Sequence, residues 1–440
     1  MTATASMTAP SLQQVAPHIV PRVKDGDLAK AQLLLLGLGV VLIGAAWATG
    51  GARFYFSYLV GYMGVLGICL CALFFTMLQH ITRAGWSVSV RRLAENIMAA
   101  LPLMVLLFVP VIVGFDDLFH HWVHANQDAS GQPLLPTDPR FDSVLDGKKG
   151  LLNGPFFFVR AAIYFAVWLA LAIYFRRASL KQDETGDPAI TLRLARVAAP
   201  GLLLFALSIT FAAFDWIMSL DPHWFSTIFG VTYFAGGLMA FLAYVTLLAK
   251  WLGKRGYLRE AINVEHYHDL GKLMFAFMVF WTYVNFSQYM LIWYANLPEE
   301  THWYAVRAEN GWGAVGTILI LGHFFVPFAF LMSRHIKRNG LTLVIGAIFL
   351  LVIHCIDMQY LILPQAGGHG AEHGSEAAHA GSGFLHDIGL YLHNVSWADF
   401  GCFAGLLAML TGFTLLNVRR TNLVPLRDPR LVESLHFQNH

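Results

Sequence analysis

Phe214-Asp-Trp-Ile-Met-Ser-Leu-Asp-Pro-His-Trp-Phe-Ser-Thr-Ile-Phe-Gly230 joins two long apolar runs, residues 197–217 and 225–251. Each run is about 20 residues or longer, enough to cross the hydrocarbon core of a bilayer. Asp215, Asp221 and His223 therefore stand at a membrane edge. Ionisable groups there are costly to desolvate and tend to be kept for proton or electron chemistry. The plainer alternative is a short wet turn whose aspartates cap helices.

Outward from this turn the pattern repeats. Further apolar runs lie at residues 32–49, 54–78, 93–115, 155–175, 270–294, 312–332, 341–363 and 396–416. The chain is 57% hydrophobic and 13% charged, with mean hydropathy +0.56, which excludes an ordinary soluble protein. Only helices and closed barrels satisfy backbone hydrogen bonds in hydrocarbon, and these continuous runs lack the alternation of a barrel strand. The expected fold is an all-α polytopic membrane protein of about ten helices. Its ten-helix domain spans residues 31–416, after a segment 1–30 and before a tail 417–440. The first run follows a polar stretch with no cleavage-type signal, so the first helix is expected to be retained.

Basic residues fall mainly on one set of connections. They include Arg22, Lys24, Arg83, Arg91, Arg92, Arg176, Arg177, Lys250, Lys254, Arg255, Lys337, Arg338, Arg419 and Arg420. The other set keeps only Arg53, Arg140, Lys148, Lys149, Arg160 and Arg307. The positive-inside rule makes the first set cytoplasmic, with both termini on that side. The other side carries a long loop, residues 116–153, and a Gly/Ala/His-rich loop, residues 364–395.

Ionisable groups at membrane depth suggest two half-pathways for protons. The outer one uses Asp116, Asp215, Asp221, His223, His354 and Asp357; the inner one begins near Glu95 and His80. His354 and Asp357 are three apart and share a helix face, Arg91 and Glu95 are spaced for a one-turn contact, and His323 sits near mid-membrane. The competing reading is interhelical hydrogen-bond glue plus charges that snorkel to the interface. His80, His323 and His354 lie at different depths along their helices, so no haem-ligating pair is expected. All four cysteines, Cys69, Cys71, Cys355 and Cys402, fall in apolar runs and match no haem-attachment or cluster spacing. His369, His373, His379 and His386 read as incidental histidines of a Gly/Ala-rich insert rather than a metal site.

Four stretches resemble a known family. Residues 214–230 resemble the signature region of the large membrane subunits of bacterial alternative complex III. Ala84-Gly-Trp-Ser-Val-Ser-Val-Arg-Arg-Leu-Ala-Glu95, His266-Tyr-His-Asp-Leu-Gly-Lys-Leu-Met-Phe-Ala-Phe277 and Leu423-Val-Pro-Leu-Arg-Asp-Pro-Arg-Leu-Val-Glu-Ser-Leu435 resemble its ActF-type subunit. The resemblance runs from about the second helix to the C-terminus. It implies an NrfD/PsrC-like core of two four-helix bundles, here with one extra helix at each end. It further implies a subunit of a bacterial inner-membrane respiratory complex that oxidises quinol and passes electrons to cytochrome c or an oxidase. The implied partners are a paralogous NrfD-like membrane subunit, an iron–sulfur protein, multihaem and monohaem cytochromes c, small membrane subunits and a terminal oxidase. Iron–sulfur clusters and haem c would belong to those partners, and a quinone or menaquinone contact is expected near Asp221 and His223. Two other functions compete: a purely structural anchor, and a secondary transporter. Transporters favour Gly/Pro-broken helices in matched halves, a pattern that Pro102, Pro110, Pro200 and Pro327 do not form.

Overall fold

The computed structural model describes residues 26–128, 130–367 and 384–439. The N-terminal segment up to residue 25 and the histidines His369, His373 and His379 fall outside that description. Ten long helical segments follow one another. They are α1 (Gly26–Gly50), α2 (Arg53–Ile81), α3 (Val88–Val113), α4 (Gly154–Thr185), α5 (Pro188–Trp216), α6 (Phe229–Lys254), α7 (Val264–Ala295), α8 (Trp312–Met332), α9 (Gly340–Ile362) and α10 (Trp397–Arg420). Among the described residues, nine of these are long and apolar enough to cross a membrane. The tenth, α7, is 32 residues long and carries the polar band Asn285, Ser287 and Gln288. The described residues hold no β-strand. The protein is an all-α, multi-pass membrane protein.

Local chemistry sets the helix ends. Asp187 caps α5 by accepting from the Ala189 amide, with Pro188 as its first residue and Gly186 in the left-handed conformation just before. Asn263 and His266 close a capping box on α7, and Ser396 with Asp399 closes another on α10. The third apolar run is not one regular helix. It divides into Val88–Met98, Leu101–Leu106 and Val109–Val113, with Pro102 and Pro110 at the restarts, where a missing N–H interrupts the ladder. In α8 the stretch Ile320–Phe325 is a π-helix. Pro327 follows it, and a proline there cannot donate to the carbonyl one turn back, at His323.

Helices α2 to α5 pack as one four-helix bundle and α6 to α9 as a second, and α2 also contacts α6 and α9 across the seam. The extra helices α1 and α10 pack on each other, and α10 rests against α2. Between membrane helices close packing replaces the hydrophobic drive, so small residues mark the contacts. A Cβ on Gly39 of α1 would lie 2.6 Å from the Gly405 carbonyl of α10, and one on Gly61 of α2 would lie 2.7 Å from the Phe403 amide. Consequently α2 forms the axis: 94% of its most apolar window is buried, against 11% for α1.

Polar ties hold helix ends together on each side. At the basic end Arg419 bonds Gln32, Arg338 pairs with Glu265 and Arg91 pairs with Asp428. At the opposite end Asp399 binds Arg53 at 2.9 Å and Ser57 at 2.5 Å, joining the starts of α2 and α10.

Candidate functional site

Inside the second bundle, α6, α7, α8 and α9 bring His323, Trp281, His354 and Asp357 together. The Trp281 indole N–H donates to Asp357 Oδ2 at 3.2 Å, and the His323 ring stands edge-on to the same indole with centroids 3.7 Å apart. His354 Nε2 faces the Gly64 carbonyl of α2 at 3.4 Å. If Nε2 carries the proton, Nδ1 is left as an acceptor. Gly236 of α6 makes room for the group: a Cβ there would lie 3.2 Å from Asp357 Oδ2, 3.5 Å from His354 Nδ1 and 3.5 Å from Trp281 Cδ1. His323 and His354 are fully buried and Asp357 nearly so. Neither ring nitrogen of His323, nor Nδ1 of His354, has a hydrogen-bond partner among the described residues. No guanidinium or ammonium pairs with Asp357 there. His323 and Asp357 stand at different depths by position along their helices, and the Trp281 indole contacts both.

The turn of residues 214–230 distributes its ionisable groups differently. Asp215 accepts two bonds from Arg160, at 2.7 and 2.9 Å, and one from the Tyr164 hydroxyl at 2.7 Å. A bidentate, buried guanidinium–carboxylate pair of this kind fixes geometry. Asp221 is buried and accepts from Gln365 Nε2 at 3.3 Å. His223 is half exposed and meets Asp142 of the long loop at 2.5 Å, while Lys148 Nζ donates to the Pro222 carbonyl at 2.6 Å. These two contacts strap loop 116–153 over the turn. Burial alone would raise the Asp142 carboxyl, but the Leu145 and Val144 amides and His223 outweigh it and leave it below its ordinary value. Burial lowers the Lys148 ammonium, opposed by Asp142 and Asp221. Asp116 is exposed on a short helix, Phe115–Leu118.

Next to Asp221, Arg307 is buried with its guanidinium 3.5 Å from the Trp303 ring, and Trp303 stacks on Trp224 of the turn at 4.7 Å. It donates to the Tyr360 and Leu361 carbonyls at the C-terminus of α9, both at 3.0 Å, where a cation also meets the negative end of the helix dipole. Arg307, Gln365, Trp281 and Gly236 were not picked out by the sequence reading. Most of their partners are distant in the sequence, and only Arg307 carries a charge that a sequence scan registers.

At the basic end Glu95 is fully buried between two arginines, Arg91 at 3.3 Å and Arg92 at 3.0 Å. Arg92 continues to Asp183 of α4 at 2.9 Å, Ser179 donates to Glu95 at 3.0 Å, and Arg91 reaches Asp428 of the tail at 2.5 Å. The expected Arg91–Glu95 one-turn contact is thus part of a buried network that locks the tail to α3 and α4. His80 is buried beside Phe175, ring centroids 5.7 Å apart, with neither ring nitrogen hydrogen-bonded among the described residues.

The structure therefore unites His323, His354 and Asp357, keeps Asp221 and His223 on one turn, and ties Asp215 and Glu95 into separate ion pairs. Among the described residues no three His, Cys, Asp or Glu side chains are placed to hold a metal. No protein-family model matches the chain, and no curated protein matches it.

Proposed function

We propose that this chain is the proton-handling membrane subunit of a quinol:electron acceptor oxidoreductase of the alternative complex III kind. The observation that carries the reading is the buried group His323–Trp281–Asp357–His354. Among the described residues it sets a carboxyl without a cationic partner beside both ring nitrogens of His323 and Nδ1 of His354, none of which is hydrogen-bonded. Quinol oxidation releases protons as electrons leave, and a base near a proton route is what that chemistry requires. Carboxyl and imidazole groups at intermediate membrane depth are the usual members of such relays. From Asp357 the route outward follows α9 to Tyr360, then Arg307, whose guanidinium lies 5.8 Å from the Tyr360 ring, then buried Asp221 and solvent-facing His223.

The four motif stretches support the family assignment and, with it, the partner set and the bacterial inner membrane. The clustering of Arg and Lys at one end supports cytoplasmic termini. The deciding experiment substitutes Asp357→Asn in the assembled complex and measures quinol:acceptor turnover and protons released per electron. A fall in either, with subunit composition intact, is the expected result. Wild-type values for both sink the assignment.

The purely structural reading has its own support at Asp215 and Glu95. Asp215 is paired with Arg160 and Glu95 with Arg91 and Arg92, and both are assigned to holding helices together rather than to moving protons.

A further inference from the structure

A cleft of about 550 Å³ opens near the basic end between α1, α6, α9 and α10. Its walls are mainly aliphatic, with Leu34, Leu247, Val344 and Leu415 among them. Two lysines line it as well, Lys250 and Lys254, four apart and so on one face of α6. Neither forms an ion pair among the described residues, whereas Lys272 at the same end is bound to Asp269 at 2.5 Å. Lys250 Nζ rests 3.4 Å above the Tyr267 ring, and a Cβ on Gly340, at the start of α9, would lie 3.3 Å from it. Arg255 stacks on Trp251 at 3.8 Å, and Trp251 itself lines the cleft.

Two like charges one turn apart repel, and an anion between them turns that repulsion into two attractions. An apolar trough beside them suits hydrocarbon, and Trp251 suits the headgroup boundary. We propose that this cleft is a binding site for one anionic diacyl phospholipid. Its phosphate lies between Lys250 and Lys254, and an acyl chain runs along the α1, α6 and α10 walls. Basic pockets between membrane helices select lipids in this way, through the headgroup charge rather than the chains. The volume lies within the range of small-molecule sites and takes the headgroup-proximal part of the lipid, the rest staying in the bilayer. The inference goes beyond the quinol reading and is read out without it.

The test uses the full chain in mild detergent, stripped of lipid and then offered phosphatidylglycerol and phosphatidylcholine in equal amounts. Mass spectrometry counts what is retained. The expected result is about one phosphatidylglycerol per chain, preferred over phosphatidylcholine by roughly thirty-fold, from about 1 kcal/mol for each lysine. K250Q/K254Q should abolish the preference and K272Q should keep it. Should K250Q/K254Q fail to fold, L35W serves instead: Leu35 of α1 also lines the trough, so the change narrows it with both lysines in place and should lower phosphatidylglycerol retention. Equal retention of the two lipids by the wild-type chain overturns the proposal. So does a preference that survives K250Q/K254Q, or recovery of a neutral quinone in place of phospholipid.

Discussion

Asp215 and Asp357 are both buried near the same end of the molecule, one in each bundle, and their surroundings are opposite. Asp215 is held by a bidentate guanidinium and a tyrosine hydroxyl. Among the described residues Asp357 has one donor, the Trp281 indole, with imidazoles nearby. A carboxylate clamped by a cation cements two helices. One that meets only an indole and imidazoles is not committed to such a tie. The same residue type at a similar position in the fold thus serves structure in the first bundle and, in the reading proposed above, chemistry in the second.

The contrast predicts unequal effects. Asp215→Asn leaves Arg160 buried without its counter-charge and should destabilise the chain by about 3–5 kcal/mol. Asp357→Asn keeps an oxygen to accept from Trp281 and should stay within about 1 kcal/mol. Thermal unfolding of the two purified variants in one detergent compares them directly, and equal shifts would remove the distinction.

Packing around Asp357 gives the next effect. Gly236→Ala places a methyl 3.2 Å from the carboxylate oxygen and should destabilise by about 1–3 kcal/mol through overpacking. Gly253→Ala, on the same helix, meets only the Tyr267 hydroxyl, at 3.7 Å. It should be neutral or gain up to about 1 kcal/mol from helix propensity. If the two alanines behave alike, Gly236 is not making room for the cluster. Removing the indole donor with Trp281→Phe should cost about 1 kcal/mol for the lost hydrogen bond. Tryptophan fluorescence and unfolding of that variant check it.

Much of the fold was legible because hydropathy over about twenty residues is a strong local signal. All ten helices fall where the apolar runs put them. The helix ends were less so: α4 runs on to Thr185, past Arg176, Arg177 and Lys181, because a helix need not stop where the hydrocarbon does. The site was legible only in pieces. His354 and Asp357 are neighbours by spacing, but Trp281 and His323 reach them from other helices, and no local pattern encodes that approach. For Asp215 the sequence shows an acid and hides its partner; for Glu95 it shows Arg91 one turn away and hides the rest of the network. Arg160 lies 55 residues before Asp215, and Asp428 lies 337 beyond Arg91.

The smallest expected effect lies where the loop meets the turn, and it sharpens the comparison by supplying a carboxylate of a third kind. Asp142 is neither locked by a guanidinium nor isolated in the bundle. It caps the helix Ser143–Lys148 through the Val144 and Leu145 amides and meets His223 across the strap. Its carboxyl is held below its ordinary value, so the charged form is favoured in the folded loop. The stability this contributes is complete above the carboxyl's unfolded value and is lost as pH falls through the folded one. Acidification should therefore loosen the strap while leaving the bundles intact. Hydrogen exchange at Val144 and Leu145, corrected for intrinsic rate, should rise as pH falls into the carboxylate range, and Asp142→Asn should remove most of that pH dependence. Unchanged protection on acidification would mean that Lys148 and its bond to the Pro222 carbonyl hold the strap without the carboxylate. The turn of residues 214–230 would then be covered by a loop whose closure does not respond to acid.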